Sequence, residues 1–130
     1  IDFAGVKGAL GQVVAGGAMM GPAGENLSYP TTKTTSGLIM LSAAAAEPPQ
    51  VNPCIRCGRC VEYCPMGLEP VEVNQAYAAR DVQELGKLHV DYCFNCGSCT
   101  FVCPAKRPCT QMMGLAKAFY LGEIKKGGNK

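Results

Sequence analysis

Two copies of one cysteine pattern constrain this chain more than any other feature of its sequence. Each copy has the form C-x2-C-x2-C-x3-C-P, with a glycine before the third cysteine. The first copy contains Cys54, Cys57, Cys60 and Cys64, and the second contains Cys93, Cys96, Cys99 and Cys103. This spacing is typical of bacterial-type [4Fe–4S] ligand runs, in which the fourth cysteine binds the other cluster.

The pattern has a physical reason. Three thiolates on one loop wrap three irons of a cubane, and Gly58 and Gly97 tolerate the tight backbone that this requires. Pro65 and Pro104 turn the chain after the fourth cysteine, which therefore points away from its own loop. We predict two crossed [4Fe–4S] sites: one takes Cys54, Cys57, Cys60 and Cys103, and the other takes Cys93, Cys96, Cys99 and Cys64.

Other uses of cysteine fit the pattern poorly. Zinc sites use paired C-x2-4-C units rather than triplets with a distant fourth ligand. Disulfides are not expected in a chain without a secretory signal. Cys109, the ninth cysteine, is expected to be a small buried residue at the start of the last helix, because as a ligand it would replace Cys103 and break the repeat. His89 stands alone, whereas a Rieske centre needs two histidines, so a surface or supporting position is expected.

Four basic residues flank the motifs, and two interpretations of them stay open. Arg56, Arg59, Lys106 and Arg107 either line solvated basic loops or guide an acidic partner and tune a potential. The formal net charge of +2 falls to roughly −2 if each cluster site carries about −2. This balance gives no indication of nucleic-acid binding.

Composition changes sharply near residue 47, because all nine cysteines lie in residues 54–109. We predict a β/turn segment at residues 1–47, the end of a larger upstream domain plus a linker, and a cluster domain at residues 48–130. Strands are predicted at Gly11–Ala15 and Gly37–Leu41, too little for an independent sheet. Gly16–Gly21 is interpreted as a tight turn, because it fits neither nucleotide-binding pattern. The chain starts at Ile1 rather than Met, which indicates a fragment, a processed chain or a numbering from partway along.

Helices are predicted in the cysteine-rich part, so the fold class is α+β, an α-helical ferredoxin-type domain after a short β-rich segment. One helix starts at Pro70, and a second starts at Asp81 with Glu84 as its capping partner. The last helix follows Pro108 and ends near Lys125 and Lys126. Its predicted buried stripe is Met112, Leu115, Ala116, Phe119 and Tyr120.

Membrane-spanning and secretory segments are not evident. The longest apolar run, Gly37–Ala46, is about half the length of a membrane span. It is interpreted as a strand that runs into a linker at Ala43–Gln50. The chain is expected to be soluble and to dock on a membrane complex.

Several segments together resemble the C subunit of the Rnf electron-transport complex. They are Gly16–Gly21, Pro30–Gly37, Pro53–Cys60, Cys64–Pro70, Cys96–Cys99 and Val102–Pro108. The family usually has Pro at the position of Ala18, which affects only the local turn. The resemblance covers nearly the whole chain but only the C-terminal part of the family's protein.

The resemblance implies a function. Rnf complexes couple ferredoxin:NAD+ oxidoreduction to Na+ or H+ movement, and their C subunit lies peripherally on the cytoplasmic face of the bacterial or archaeal membrane. Its larger N-terminal part carries FMN and the NAD(H) site, which have no counterpart in this chain, and its C-terminal part carries two [4Fe–4S] clusters. The implied partners are an upstream flavin and NAD(H) domain and other subunits, including an iron–sulfur subunit.

We expect the chain to relay single electrons, with no residue acting in acid–base or nucleophilic catalysis. A flavin elsewhere must mediate between one-electron clusters and the two-electron nicotinamide. One alternative is an iron–sulfur subunit of another redox enzyme, of the cobalamin reductase or heterodisulfide reductase type. The other is a structural or sensory iron–sulfur protein, although one cluster would suffice to stabilise so small a domain.

Overall fold

The computed structural model describes residues 8–24, 28 and 30–127. The chain divides into two compact units, Ile1–Pro49 and Gln50–Lys130. The described strands are β1 (Leu10–Ala15), β2 (Ala23–Gly24) and β3 (Leu38–Ser42). The described helices are α1 (Ala43–Ala46), α2 (Arg59–Glu62), α3 (Pro70–Ala78), α4 (Val82–Lys87), α5 (Ser98–Phe101) and α6 (Cys109–Gly127), with a 3-10 turn at Val90–Tyr92.

The first unit contains a three-stranded antiparallel sheet in the order β2-β1-β3. Both predicted strands are confirmed to within one residue at each end. The sequence did not predict β2, a two-residue strand that pairs with the other edge of β1. Val13 is the buried hydrophobic residue of this sheet within the described part of the unit.

The glycine-rich segment between β1 and β2 is confirmed as a tight turn. Gly16 adopts a φ of 109°, which a side chain disfavours, and the Gly21 amide donates to the Gly17 carbonyl at 2.8 Å. The predicted linker after β3 begins instead with the helical turn α1. Ser42 caps it by accepting a hydrogen bond from the Ala45 amide at 3.3 Å, and alanine is the best helix former.

The cysteine repeat of the second unit is also a backbone repeat. Helices α2 and α5 follow Gly58 and Gly97, which have φ angles of 76° and 88°. Each motif has three residues with positive φ at matching positions. They are Arg56, Gly58 and Gly67 in the first copy and Asn95, Gly97 and Lys106 in the second. Only some of these positions are glycine, so the shared conformation exceeds what the sequence identity indicates.

The predicted helix starts are confirmed. Pro70 is the first residue of α3, and the Asp81 carboxylate accepts from the Glu84 amide at 3.0 Å ahead of α4. Helix α6 begins one residue after Pro108. Lys125 and Lys126 lie in its last turn, as predicted.

Helix α6 closes the core of the second unit with part of the predicted stripe: Ala116 is buried, and Phe119 and Tyr120 pack against the core, but Leu115 does not. Leu115 is 53% exposed, whereas Met113 is 1% exposed. Both sets of residues follow the helical period, and the packing of α6 against α3 and α4 selects the face that contains Cys109, Met113 and Ala116. The buried cluster contains Leu68, Val73, Ala76, Leu85, Val90, Met113 and Ala116.

Two further contacts join α6 to the rest of the unit. Phe119 packs edge-on against Tyr77 of α3, with ring centroids 5.8 Å apart, and the Arg80 guanidinium lies over both rings. Lys117 Nζ donates to the Cys93 carbonyl at 2.7 Å, which fixes the start of the second motif. Among the described residues, no helix combines the length and the apolar character needed to cross a membrane.

Candidate metal centre

The first of two cysteine-lined cavities has a volume of about 250 Å³. The first three cysteines of the first motif line it, together with the last cysteine of the second motif. These residues are Cys54, Cys57, Cys60 and Cys103. Helix α3 supplies Val71 and Asn74 to the wall, and the start of α6 supplies Cys109.

The second cavity reverses the roles of the two motifs. Its lining cysteines are Cys93, Cys96, Cys99 and Cys64. This space is narrower, about 20 Å³. The structure therefore brings the eight cysteines together in the two groups that the sequence predicts.

The two cavities are related by the internal repeat. The second motif starts 39 residues after the first, and helices α3 and α6 keep the same offset. Of the eleven residues that line the second cavity, ten have their counterpart in the lining of the first. The exception is Asn95, whose counterpart is Arg56. The chain thus builds one kind of site twice.

Polar groups contact all four cysteines of the second cavity at 3.4 Å. Two of these groups are hydroxyls, since Ser98 Oγ lies at Cys96 Sγ and Thr110 Oγ1 lies at Cys99 Sγ. The other two are the Leu68 amide at Cys64 Sγ and Asn95 Oδ1 at Cys93 Sγ. Hydrogen bonds donated to a ligand sulfur orient it and tune the metal, and the Leu68 amide and the two hydroxyls can donate in this way, whereas Asn95 Oδ1 only accepts from the Cys93 thiol.

The first cavity has fewer such contacts. The Arg56 amide donates to Cys54 Sγ at 3.4 Å. With the Gln75 amide in the orientation that satisfies both of its ends, the Arg56 guanidinium donates to Gln75 Oε1 at 2.7 Å and fixes the ligand loop to α3. Asn74 lines this cavity, and its Oδ1 is buried with no hydrogen-bond partner among the described residues.

Burial is the main cause of the raised pKa values of Cys60 and Cys99. It raises the pKa of Cys60, and the neighbouring Cys99 and Cys103 raise it further. Burial also raises the pKa of Cys99, although the hydrogen bond from Thr110 acts in the opposite direction. Thiolates are unfavourable here without a cation, and iron supplies the positive charge that stabilises them.

Cys109 is buried at the start of α6, as predicted. It lies within one hydrophobic cluster with Cys60 and Cys99, against which Cys103 and Val71 pack. Burial and the nearby cysteines raise its pKa to about 12. Cys109 takes the position that Pro70 has in the other copy of the site, so it packs against Cys60, Cys99 and Cys103 rather than continuing the motif.

The histidine and the basic residues that the sequence marks as candidates lie outside the two groups of cysteines. His89 is exposed and stacks on the Tyr92 ring, with centroids 5.4 Å apart. Arg59 and Arg107 line the first cavity, whereas Lys106 is exposed. All nine cysteines are free thiols in the described chain. No group of three His, Cys, Asp or Glu side chains within the described ranges converges on a single-ion site.

The residues present fit [4Fe–4S] clusters by their donor chemistry. Each cavity offers four thiol sulfurs, which are the ligands that such clusters take. At the second cavity, the Thr110 hydroxyl lies within hydrogen-bond distance of Cys99 Sγ and can donate to it when it is a thiolate ligand. Sequence reasoning missed Asn74, Thr100 and Thr110, although aligning the two repeats beyond the cysteines would have marked all three as positions where the copies differ.

Comparison with known proteins defines the class of this site. Residues 53–106 match the family described as 4Fe-4S dicluster domain. The second unit is therefore a ferredoxin-type domain of that class, with helices arranged around its cysteines, and a small antiparallel sheet precedes it.

The relatives are more specific. The chain is 42% identical to the C subunit of the ion-translocating oxidoreductase complex of Rhodobacter capsulatus over 77 residues, 59% of this chain and 15% of that protein. It is also 42% identical to the C subunit of the proton-translocating ferredoxin:NAD(+) oxidoreductase complex of Clostridium ljungdahlii over 71 residues, 54% of this chain and 16% of that protein. A third relative, the C subunit of the Na(+)-translocating ferredoxin:NAD(+) oxidoreductase complex of Acetobacterium woodii, is 36% identical over 72 residues, 55% of this chain and 16% of that protein.

These matches confirm the resemblance to the C-terminal part of the Rnf C subunit that the sequence motifs indicate. The chain spans about 15–16% of the length of these relatives.

Proposed function

We propose that this chain relays single electrons through two cross-ligated [4Fe–4S] clusters. The first site is held by Cys54, Cys57, Cys60 and Cys103, and the second by Cys93, Cys96, Cys99 and Cys64. The observation that carries the proposal is the division of the eight cysteines between two cavities, each of which receives its fourth cysteine from the other motif. When bound, each cluster accepts and releases one electron.

The protein supplies position and environment. The positive-φ residues around Gly58 and Gly97 curve each loop so that three cysteines face one cavity. The exchange of Cys64 and Cys103 keeps the two sites adjacent, because Cys60, Cys99 and Cys103 pack in one cluster. Adjacent sites favour electron transfer between them.

We propose from the relatives the complex in which this chain acts. The chain acts as the iron–sulfur part of a membrane-associated, ion-translocating ferredoxin:NAD+ oxidoreductase, on the cytoplasmic face and beside another iron–sulfur subunit. Within the described residues the first unit buries one hydrophobic side chain in its sheet, Val13, which supports the proposal that residues 1–47 complete a larger upstream domain. That domain would hold the FMN and NAD(H) sites, and the translocated ion is Na+ or H+.

Anaerobic reconstitution tests this function. The reconstituted full chain is expected to bind about eight irons and to give two one-electron reduction steps in an EPR-monitored redox titration. Irons that do not cycle reversibly would favour a structural role. About four irons per chain would contradict the two-cluster assignment.

A further inference from the structure

A pair of threonine hydroxyls leads to one cysteine of the second site. Thr110 Oγ1 lies 3.4 Å from Cys99 Sγ. Thr100 Oγ1 donates to Thr110 Oγ1 at 2.8 Å and accepts from the backbone amide of Thr110, also at 2.8 Å. The second contact holds the Thr100 hydroxyl in place, and the first occupies an acceptor position of the Thr110 hydroxyl.

The direction of the last hydrogen bond follows. A thiolate that ligates iron can only accept, so the hydrogen between Thr110 and Cys99 comes from Thr110. Thr100 already supplies the hydrogen between the two hydroxyls, which leaves the proton of Thr110 for the sulfur. The two hydroxyls thus form a short chain of hydrogen bonds that ends on Cys99 Sγ.

The first site lacks this chain of hydrogen bonds. At the repeat offset, Val61 replaces Thr100 and Val71 replaces Thr110. Val71 lines the first cavity and packs against the buried cysteine cluster, as its counterpart Thr110 lines the second cavity. Two similar sites therefore differ by a pair of hydroxyls at equivalent positions.

We propose that Thr110, held by Thr100, is a positioning residue that raises the reduction potential of the cluster at Cys93, Cys96, Cys99 and Cys64. This rests on the proposed function. Reduction adds negative charge to the cluster and its sulfurs, and a hydrogen bond to a ligand sulfur stabilises the more negative state. The inference concerns one site and not the order of the two potentials, because Arg59 and Arg107 at the first cavity also favour added negative charge.

The experiment uses the reconstituted full chain and an EPR-monitored redox titration. Thr110→Val is expected to lower the equilibrium constant for reduction of one cluster about tenfold, a shift of ~59 mV to more negative potential, and to leave the other unchanged. Thr100→Val is expected to shift the same cluster by less, because Thr110 keeps its hydroxyl but loses its orientation. Thr110→Ser is the matched control, which keeps the hydroxyl and should keep the potential.

Threonines introduced at the first site provide a second test, which does not depend on whether the Thr110→Val variant folds. Val61→Thr/Val71→Thr adds the hydroxyl pair to the first site and should raise the potential of the other cluster. Equal shifts of both clusters, or no shift in either set of variants, would overturn the inference. Failure of the proposed function is recognised separately, since the unaltered chain would then bind about four irons or fewer, or would bind irons that do not cycle reversibly.

Discussion

Cys103 ends the second cysteine motif, yet it lines the same cavity as Cys60 of the first motif. Cys64 has the reciprocal position, in the cavity of the second motif. Both cysteines are followed by a proline and, three residues on, by a residue with positive φ, Gly67 or Lys106. This shared turn aims each fourth cysteine across the repeat, so binding at either site involves both halves of the unit.

Single cysteine variants should each lose one cluster. Cys103→Ala is expected to lower the iron content by about half and to abolish one of the two EPR-detected reduction steps. Cys109→Ala is the matched control, because Cys109 is buried beside the ligands without being one of them. A Cys103→Ala preparation with both clusters, or a Cys109→Ala preparation with one, would contradict the assignment.

Removal of iron should unfold the second unit. Its buried cluster is small, and burial disfavours charge on inner thiols such as Cys60 and Cys99 that iron would compensate. Anaerobic treatment with an iron chelator is expected to abolish most of the helical signal in far-ultraviolet circular dichroism, and reconstitution with iron and sulfide should restore it. Retention of the full helical signal after chelation would show that the fold does not depend on the metal.

Cys109 should resist alkylation in the cluster-bound protein. Burial raises its pKa from 9.0 to about 12, so the thiol stays protonated below that pH. At pH 8 its thiolate fraction is therefore much smaller than that of an ordinary cysteine, and the thiolate is the reactive form. Mass spectrometry after iodoacetamide treatment should show an unlabelled native chain, and nine labels after unfolding in denaturant. Rapid addition of one label at pH 8 would show that Cys109 is accessible.

Gly58→Ala should destabilise the first ligand loop. Gly58 has a φ of +76°, and an added Cβ meets no atom within 4 Å, so the cost comes from the backbone alone. We expect about 1–2 kcal/mol, seen as a lower thermal midpoint of the cluster-bound protein. Gly122→Ala is a control of opposite sign, because Gly122 lies inside α6 with open space around it and alanine favours the helix by ~1 kcal/mol. Equal effects of the two substitutions would contradict this account of the loop.

Local sequence signals predicted much of this fold. Pro70 and the Asp81–Glu84 pair mark helix starts through contacts within one turn, and the cysteine spacing predicted which cysteines line each cavity. Sequence patterns did not predict the features that depend on contacts between residues distant in the chain. Met113 rather than Leu115 enters the core because the packing of α6 selects its face, and the two-residue β2 is formed only by pairing with β1.

Tertiary contacts also decide the finer features of the site. Thr100 and Thr110 meet because α5 packs against α6, which no local pattern indicates. Arg56, Asn95 and Lys106 take positive φ angles that glycine would favour, because the repeated turn imposes them. Comparing the two repeats residue by residue finds the threonine pair in retrospect.

The iron content of two double variants tests the crossed ligation most directly. If Cys60 and Cys103 share one cluster, Cys60→Ala/Cys103→Ala keeps the other and retains about four irons per chain. Cys99→Ala/Cys103→Ala then disrupts both clusters and retains almost none. The opposite result, with irons retained in Cys99→Ala/Cys103→Ala and lost in Cys60→Ala/Cys103→Ala, would show that each motif binds its own cluster and would contradict the account.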